Sequence, residues 1–549
     1  MMIPPGEFSR MSPVKLLTAK TAQALDAEAL ASWGLNPFAL VEAAGRSCAA
    51  VLRAYSPALF QGPAPRMLVL AGSGNNGADA MVMLRTLLIQ GVAEAALQTV
   101  VLDRLPQAEE RSPHSEALRS LNKLGVSLLT WKQLKDPLAF LSQGTIIIDG
   151  IAGTGLTGPL RGTPAAMVQA VNALTANPYS PATPRRPWVV AIDLPSGNFD
   201  FWETSMLILK ADLSLAIEPR KVALYNPAAR PYGGTIVPVG GIFPPALVDA
   251  FEGAELVAWE EVRSRIPPVK PEAYKHQRGV VEIHAGSPGS TGAARIAAAG
   301  AQAAGAGLVR LIADTSIYPI LAATAGGVMV VPAGTEDSVV YTPGQETRFY
   351  PDALLLGPGW GKAPDRAMLF HRALVREWEG IPLILDAEAI ALAKDGVFHG
   401  NAILTPHPGE CAALAGVSVE TVLAHPLPVL KKLAQEKQAV LLFKGHVLFI
   451  ASPDGRVAVV DGMVPALASG GAGDLLAGLC AAIAARMKRN ACFDGYPCAV
   501  AAATLLMETG RVSGNRFRDP LDWAEEAAAL AGAAWLSPLA VEAYRGLRG

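Results

Sequence analysis

The stretch "LVLAGSGNNGADA", residues 68–80, joins an apolar run to a glycine-rich loop that continues into polar residues. Its glycines match the spacing G-x-G-x-x-G, which is typical of the first strand–turn–helix of a doubly wound α/β fold and suits a dinucleotide. The pattern alone is a weak signal, so two interpretations remain open. Either the loop holds the phosphates of a redox cofactor, or Asn75, Asn76 and Asp79 do the chemistry and the glycines only make room.

Short apolar strands alternate with helices around this stretch and again in the second half of the chain. In the first half we predict strands near 66–71, 97–102, 145–149, 188–192, 211–217 and 235–239. Helices are predicted near 19–32, 37–53, 78–90, 114–124 and 164–175. This alternation is typical of a parallel sheet covered by helices on both faces. The first domain is therefore predicted to be a Rossmann-like three-layer sandwich.

A second series of strands begins after a linker that we place at about 245–265. Its strands are predicted near 279–284, 308–312, 353–356, 382–385, 402–404, 440–443 and 447–451. Three helices near 473–489, 495–509 and 521–533 close the chain. We therefore predict an α/β protein of two doubly wound domains, residues 1–250 and 251–549.

The charge balance and hydropathy of the chain argue against nucleic acids and membranes as partners. The 549 residues include 46 basic and 48 acidic side chains, so no excess charge points to nucleic acid or to an anionic membrane. No apolar run reaches the roughly 18–20 residues of a membrane span, and the N-terminus lacks the apolar core of a signal peptide. We expect a cytoplasmic protein with neither partner. We also expect a homo-oligomer, although the Ala-rich helix faces identify no interface.

The five cysteines are scattered and form no C-x-x-C pair. Zinc sites and disulfide frameworks need closer or paired spacings, so free buried thiols are the expected state. The prediction covers Cys48, Cys411, Cys480, Cys492 and Cys498.

Two further polar loops follow strands of the first half. They are "IIIDGIAGTGLTGPLRG", residues 146–162, and "VVAIDLPSGN", residues 189–198. Because ligands of doubly wound sheets bind beyond the carboxyl ends of the strands, all three loops can converge on one cleft. Asp149, Asp193 and Ser196 add oxygen donors there, which suits a hard cation. The glycines of "GTGLTGP" can offer backbone N–H groups to a phosphate.

The redox interpretation of the first loop needs an acid about 20 residues further on, and Asp103, 26 residues after Gly77, could serve. A strand–turn–helix with no ligand is the plainer alternative. Neither interpretation gives a task to the two asparagines and the aspartate of the loop. Their presence favours a loop that binds a ligand without redox chemistry.

Four segments together resemble a known family: "AGSGNNGAD", "DGIAGTGLTGPLRG", "DLPSG" and "KADLSLAIEPRKVALYNPAARPYGGTIVPVG". Over about residues 14–245 the chain is similar to the N-terminal domain of the bifunctional NAD(P)H-hydrate repair enzymes. In that family the domain interconverts the R and S forms of NADHX and NADPHX, which are hydrated nicotinamide cofactors. The resemblance implies a potassium ion on Asn76, Asp149 and Ser196, and Asp193 as the acid/base carboxylate. It implies a substrate site formed by Asn75, Asn76, Gly77, Ala78, Asp79, Gly153, Thr154, Gly155, Leu156, Thr157, Gly158, Pro159 and Asp193.

The chain also departs from the pattern of this family. The family usually reads NNGGDG, whereas Ala78 and Ala80 stand at two of the glycines, and Ala152 stands where a Phe usually precedes G-T-G. Added methyl groups could close space against a substrate or change the turn. An alternative therefore remains, in which this domain is a non-catalytic nucleotide-binding or assembly module.

The most informative motif of the second half is "LASGGAGDLLAGLCAAIAA", residues 467–485, a glycine loop that opens a long helix. Exposed N–H groups and the positive end of the helix dipole suit a transferring phosphate. Asp474 would repel a static phosphate, but it fits a base that takes a proton from an attacking hydroxyl. The alternative is an ordinary capping aspartate, although a cap does not need the glycines before it.

G-A-G-D before an apolar helix resembles the ribokinase-like superfamily. Together with "GPG", "TPHPGE" and "KG" it is similar to the ADP/ATP-dependent NAD(P)H-hydrate dehydratases over about residues 265–535. The resemblance implies Asp474 as the base and Mg²⁺ with ADP or ATP. The implied hydrate-binding residues are Ala293, Gly359, His407 and Asp474. The implied nucleotide-binding residues are Lys444, Gly445, Gly470, Gly471, Ala472 and Gly473, where Ala472 replaces the usual Thr.

The implied chemistry is phosphorylation followed by elimination. A kinase-like site phosphorylates the ring hydroxyl of NAD(P)HX, and the ring nitrogen then expels the phosphate, which amounts to dehydration. Epimerisation in the first domain would feed an S-specific dehydratase in the second. Two alternatives stay open: a vitamin or sugar kinase, and a buried core histidine in place of a substrate-binding His407.

Overall fold

The computed structural model describes residues 14–104, 111–176, 186–334, 350–361, 365–514 and 516–533. The described chain divides into two compact units, one from Val14 to Ala254 and one beginning at Glu255. The division falls inside the segment predicted as a linker. That segment is ordered, because it contains short helices and a strand.

The first unit alternates strands and helices along most of its length. Its strands are β1 Val14–Leu17, β2 Met67–Ala71, β3 Thr99–Leu102, β4 Ser127–Thr130, β5 Ile146–Gly150, β6 Trp188–Ile192, β7 Leu213–Ile217, β8 Arg220–Lys221 and β9 Thr235–Val239. Its helices are α1 Ala19–Ala31, α2 Pro37–Tyr55, α3 Asn75–Ile89, α4 Pro113–Lys123, α5 Pro137–Leu141, α6 Gly162–Thr175 and α7 Pro245–Asp249.

Seven of these strands form one sheet in the order β4-β3-β2-β5-β6-β7-β9, and every neighbouring pair is parallel. The order reverses between β2 and β5, which is the switch point where doubly wound sheets bind ligands. The first two polar loops leave the sheet at this point, and the third follows β6. The predicted doubly wound fold of the first half is confirmed.

Alternate residues of the strands enter two separate cores. Val69 and Ile148 pack with residues of α2, α3 and α4, whereas Leu70 and Ile147 pack with residues of α5 and α6. The strands are buried on both faces, which is why they read as continuous apolar runs. Helix, sheet and helix therefore form three layers.

The second unit repeats the alternation. Its strands are β10 Ala254–Leu256, β11 Val280–His284, β12 Leu308–Ala313, β13 Met329–Pro332, β14 Ala353–Leu356, β15 Leu383–Leu385, β16 Ala402–Leu404, β17 Val440–Phe443, β18 Val447–Ala451 and β19 Val457–Asp461. Its helices are α8 Trp259–Val262, α9 Thr291–Ala303, α10 Tyr318–Thr324, α11 Asp365–Trp378, α12 Glu388–Leu392, α13 Pro408–Ala415, α14 Val419–Ala424, α15 Pro426–Lys437, α16 Ala472–Arg489, α17 Gly495–Val512 and α18 Pro520–Ala533.

The sheet of this unit runs β13-β12-β11-β14-β15-β16-β17-β18-β19-β10. The strands from β13 to β17 are parallel, and β17, β18 and β19 form an antiparallel meander. The order again reverses once, between β11 and β14. One face of the sheet is covered by α9, α16, α17 and α18, whose alanines let helices and strands approach closely.

Predicted and observed elements agree best where both faces of a strand are buried. The edge strands β4 and β13 were not predicted, because their residues are largely half-buried or exposed and carry too weak an apolar pattern. All five cysteines are free and four are buried, but the prediction is wrong for Cys492, which is exposed. Among the described residues, no helix is both long and apolar enough to cross a membrane.

Candidate active sites

The glycines of residues 68–80 allow the loop, β5 and the start of α3 to come together. A Cβ atom on Gly72 would lie 1.9 Å from the carbonyl oxygen of Ile151, and one on Gly77 would lie 2.1 Å from the carbonyl oxygen of Gly72. Gly74, by contrast, faces open space and precedes the first residue of α3. Two of the three glycines therefore make room for backbone, which leaves the polar side chains of the loop to face the cleft.

The three residues implied as potassium ligands, Asn76, Asp149 and Ser196, lie close to the backbone of Ala152. The Ser196 hydroxyl donates to Asp149 Oδ1 at 2.5 Å, and the Ser196 backbone N–H donates to Asp149 Oδ2 at 2.8 Å. Ala152 connects the group, because its N–H donates to Ser196 Oγ at 2.9 Å and its carbonyl oxygen accepts from Asn76 Nδ2 at 3.2 Å. The loops after β2, β5 and β6 thus bring amide, carboxylate and hydroxyl groups together.

The chemistry of this donor set fits a hard cation. Asp149 and Ser196 are fully buried. Burial raises the pKa of the Asp149 carboxyl to about 6, although the hydrogen bonds from Ser196 oppose the rise. A buried carboxylate beside hydroxyl, amide and carbonyl oxygens is the kind of all-oxygen group that hard cations prefer.

A cavity of about 500 Å³ opens beside this group, between the switch point and helices α1 and α2. Eight of the implied substrate residues line it: Asn75, Asn76, Asp79, Gly153, Thr154, Gly155, Leu156 and Asp193. Five other implied residues lie outside its described lining: Gly77, Ala78, Thr157, Gly158 and Pro159. The cavity thus brings Asn75, Asn76, Asp79 and Asp193 together with the 153–156 loop.

Asp193 lines the cavity and has a left-handed backbone conformation, with φ of 61°. Its Oδ1 lies 2.8 Å from the ammonium nitrogen of Lys221, and both side chains are more than nine-tenths buried. Burial raises the pKa of Asp193, and the charge of Lys221 opposes that rise. Lys221 lies in a segment that carries the family resemblance, but it was not identified as a site residue, because only the fold brings it to Asp193.

Asp79 reaches the same cavity from the first turn of α3. It is 8% exposed, and its Oδ1 has no hydrogen-bond partner among the described residues. Burial and the nearby charge of Asp193 raise the pKa of Asp79 well above its usual range. Ala78 and Ala80 belong to the apolar core and lie outside the described lining of the cavity. The methyl groups of the two alanines therefore do not occupy the space of this cavity.

In the second unit, five loops meet at one edge of the sheet. Four of them follow β14, β15, β16 and β17, and the fifth precedes α16. The glycine turn after β14 lies against the loop after β15, because a Cβ atom on Gly357 would be 1.7 Å from the carbonyl oxygen of Asp386. Glu388 accepts a hydrogen bond from the N–H of Trp360 at 3.2 Å. The two loops therefore hold each other in place.

Lys444 lies in the β17–β18 turn and joins these loops to the glycine loop. Its ammonium group pairs with Asp386 Oδ1, which also accepts a hydrogen bond of 2.7 Å from the Thr405 hydroxyl. A Cβ atom on Gly473 would lie 3.4 Å from Lys444 Nζ, so the amine reaches the start of α16. Gly445 follows in the same turn. Asp386 and Thr405 were not identified from the sequence, since they adjoin Lys444 only through the fold.

Asp474 lies in the first turn of α16 but does not cap the helix. The cap position belongs to Gly471, with φ of 96° and no side-chain hydrogen bond, and Ala472 is the first helical residue. Burial, followed by the charge of Asp386, raises the pKa of Asp474 to about 6, while Lys444 lowers it. The capping alternative is therefore wrong, and an ionisable carboxyl stands beside the glycine loop.

His407 is not a core residue, because 56% of its side chain is exposed. Its Nδ1 accepts from the N–H of Gly409 at 3.0 Å, and its own backbone N–H donates to Glu410 Oε2 at 2.8 Å. The alternative of a buried core histidine is wrong, and His407 is a polar residue at the N-terminus of α13 that ligands can reach.

Ala293 and Gly359 adjoin each other at the switch point of this sheet. A Cβ atom on Gly359, where φ is 57°, would lie 2.8 Å from the Cβ atom of Ala293. The carbonyl oxygen of Gly359 accepts from the Ser287 hydroxyl at 3.0 Å. These two implied hydrate-binding residues therefore form one small-residue surface.

Fold and sites define a class: an enzyme of two doubly wound α/β units, the second with a kinase-like glycine loop and an adjacent ionisable carboxyl. Residues 281–518 match the family model described as NAD(P)H-hydrate dehydratase, and residues 37–222 match the one described as YjeF-related protein N-terminus. The chain belongs to the family of bifunctional NAD(P)H-hydrate repair enzymes.

Individual relatives are similar over most of both chains. The bifunctional NAD(P)H-hydrate repair enzyme Nnr of Salinibacter ruber is 32% identical over 496 residues, which cover 86% of this chain and 88% of that one. The enzyme of the same name from Moorella thermoacetica is 32% identical over 486 residues, covering 85% and 88%. A solved ADP/ATP-dependent NAD(P)H-hydrate dehydratase from Bacillus subtilis is 25% identical, with a TM-score of 0.43, and covers 51% of this chain and 97% of that one.

Proposed function

We propose that the chain repairs hydrated nicotinamide cofactors in two steps, one in each unit. The first unit interconverts the R and S forms of NADHX and NADPHX, and the second dehydrates the S form with ADP or ATP as the phosphoryl donor. One observation carries the proposal: Asp474 is an ionisable carboxyl that follows the glycine loop, does not occupy the cap position, and has its pKa lowered by the charge of Lys444.

In the dehydration step, Asp474 takes the proton of the ring hydroxyl while the hydroxyl oxygen attacks the terminal phosphorus of the nucleotide. The bond from that phosphorus to its bridging oxygen breaks, and AMP or ADP leaves. The N–H groups at the start of α16 lie where they can stabilise the transferring phosphoryl group. The ring nitrogen then expels the phosphate as the C–O bond breaks, and the neighbouring ring carbon loses a proton. The sum of these steps removes one water from the hydrate.

Lys444 supports the nucleotide side of this site. Paired with Asp386, it provides a positive charge beside Gly473 that can hold a phosphate. We assign the nucleotide to Lys444, Gly445 and residues 470–473. Mg²⁺ bound with the nucleotide would neutralise phosphate charge in the transition state. We assign the hydrate to the surface of Ala293 and Gly359 and to His407 and Asp474.

In the epimerisation step, we assign Asp193 as a proton carrier. Its contact with Lys221 and its place on the cavity support this role. Asn75, Asn76 and the 153–156 loop line the rest of the cavity and can hold the substrate. Asn76, Asp149 and Ser196 would hold a potassium ion, which supplies positive charge beside the substrate.

The proposal is tested with the purified full chain and mixed-epimer NADHX, with Mg²⁺ and K⁺ present and either ADP or ATP added. NADH formation is followed by absorbance, and the remaining epimers are separated by chirality-resolved chromatography. We expect NADH to form from both epimers. Formation of a stable phosphorylated vitamin or sugar alcohol without any NADH would instead support a kinase of the ribokinase class.

A further inference from the structure

Four carboxyl groups and one amine line the cavity of the first unit: Asp26 on α1, Asp79 on α3, Asp193 after β6, Glu218 between β7 and β8, and Lys221 on β8. The amine is committed to Asp193 at 2.8 Å. Asp79 is thus a cavity-lining carboxyl, nine-tenths buried, with an unpartnered Oδ1 among the described residues. The epimerisation step described above gives Asp79 no proton to carry.

The surroundings of the two buried aspartates make them chemically different. Asp79 faces Asp26 from α1, Cys48 from α2, and Asp193 and Lys221 from the far side of the cavity. Burial raises the pKa of the Cys48 thiol well above its usual range, so the thiol adds no charge. Only Asp193 has a cation in direct contact. Asp79 therefore holds a proton under conditions in which Asp193 is the more easily ionised carboxyl.

We propose that Asp79 is the proton donor of the epimerisation and that inversion proceeds by loss and re-addition of the ring hydroxyl. The inference rests on the proposed epimerase function of this unit. It assigns a second catalytic residue and a bond-breaking route to that function.

The route balances in two half-steps. Asp79 gives its proton to the hydroxyl oxygen, the C–O bond breaks as the ring nitrogen donates its lone pair, and water leaves an iminium ion. A second water then adds to the opposite face of the same carbon and gives a proton to the Asp193 carboxylate. The nitrogen regains its lone pair, and the product differs from the substrate only in configuration. Exchange with solvent restores both carboxyl groups, or a turnover in the reverse direction does so.

The charge of the cavity favours this route over opening of the ring. Four carboxyl groups and one ammonium group line the cavity, so the site acquires an excess of negative charge when Asp79 loses its proton. That excess stabilises a cationic iminium ion, in the same place and at the same moment as the ion forms. In the alternative route, the bond between the ring nitrogen and the hydroxyl-bearing carbon breaks and the C–O bond is kept. The intermediate of that route is a neutral aldehyde, which negative charge in the cavity does not stabilise.

An isotope experiment on the unaltered protein tests the route. The full chain is incubated with R NADHX in H₂¹⁸O without nucleotide, and the S product is analysed by mass spectrometry before spontaneous exchange becomes appreciable. We expect one ¹⁸O in each S molecule that the enzyme forms. Unlabelled S product formed at an enzymatic rate would overturn the proposal, whereas absence of any S product would refute the epimerase function itself.

The residue is tested by Asp79→Asn, with Asp200→Asn as the matched control. Asp200 is also a partly buried carboxyl with an unpartnered oxygen among the described residues, but it lies outside the described lining of the cavity and accepts from the N–H of Ala19. We expect Asp79→Asn to lower the epimerisation rate by on the order of 10²–10⁴, and Asp200→Asn to leave it unchanged. Dehydration of S NADHX reports the second unit only, so urea unfolding of each full chain checks that the first unit is folded. Epimerisation by Asp79→Asn at the parent rate would overturn the assignment; if this variant does not fold, the ¹⁸O result on the parent chain decides.

Discussion

At the scale of single residues, the second site depends on how four charges are arranged. Asp474 is flanked by Asp386 and Glu388, which favour its protonated form, and by Lys444, which favours its ionised form. Asp386 in turn is held by Lys444 and by the Thr405 hydroxyl. The carboxyl that we assign as the base is therefore poised between protonated and ionised states near neutral pH.

The substitution Asp474→Asn separates the base from a structural role. Asn keeps the size of the side chain but cannot accept the hydroxyl proton, so dehydration of S NADHX with ADP should fall by on the order of 10²–10⁴. The glycine loop and the first unit are unchanged, so R/S interconversion without nucleotide should persist in the same preparation. NADH formation at a near-normal rate would remove Asp474 from the mechanism.

The pH dependence of dehydration should report the same carboxyl. Since Asp474 acts in its ionised form and its pKa is raised to about 6, kcat should fall as pH decreases through about 6. Asp386→Asn removes a neighbouring negative charge, so the pKa of Asp474 should fall and the midpoint should move to lower pH. The ionisation of the nucleotide is the same in both proteins, which leaves the shift specific to the site.

The control for this profile is Asp454→Asn, a change in an exposed turn where the carboxylate pairs with Arg456. It should leave the midpoint in place. An unchanged midpoint in Asp386→Asn, measured from initial rates between pH 5 and about 8, would show that Asp474 is not the group that titrates.

At the scale of elements, the first polar loop combines a closely packed backbone with polar side chains that line the cavity. Gly72 and Gly77 bring the loop and α3 against backbone, while Gly74 faces open space. The glycines of this loop therefore mainly make room for backbone, and Asn75, Asn76 and Asp79 line the cavity.

Gly77→Ala should destabilise the first unit, because its new methyl group would lie 2.1 Å from the carbonyl oxygen of Gly72 and backbone would have to move. Overpacking of this kind costs about 1–3 kcal/mol of unfolding free energy. Gly74→Ala is the matched control, with a negative φ and no atom near the new methyl group. Urea unfolding of the full chains should show a lower midpoint for Gly77→Ala alone, and equal midpoints would contradict the packing argument.

The three loops after β2, β5 and β6 also predict a cation requirement. Asp149→Ala removes the carboxylate that holds Ser196, so epimerisation should be lost while dehydration of the S form continues. Replacing K⁺ by tetramethylammonium should lower the epimerisation rate of the parent chain. That ion is too large for the site, and its methyl groups keep oxygen ligands away from the charged nitrogen. An Asp149→Ala chain that consumes the R form at the parent rate would rule out the site.

At the scale of the whole molecule, sequence patterns predicted the fold. They also identified candidate site residues that directly follow strongly apolar strands or glycines. Asp149, Asp193 and Asp474 stand in such places. Lys221 and Asp386 could not be found in this way, since each meets its partner only after distant strands come together. The effect of Ala78 and Ala80 was also beyond sequence reasoning, because whether a methyl group faces core or cavity depends on the orientation of α3.

We propose that the two units catalyse successive steps on one substrate. The most direct measurement is the yield of NADH from a mixture of R and S NADHX, with Mg²⁺, K⁺ and ADP or ATP, compared between the parent chain and Asp149→Ala. The parent chain should convert the whole mixture, and Asp149→Ala should stop when the S form is used up, apart from slow spontaneous epimerisation. No NADH from the parent chain with either nucleotide would contradict the central claim.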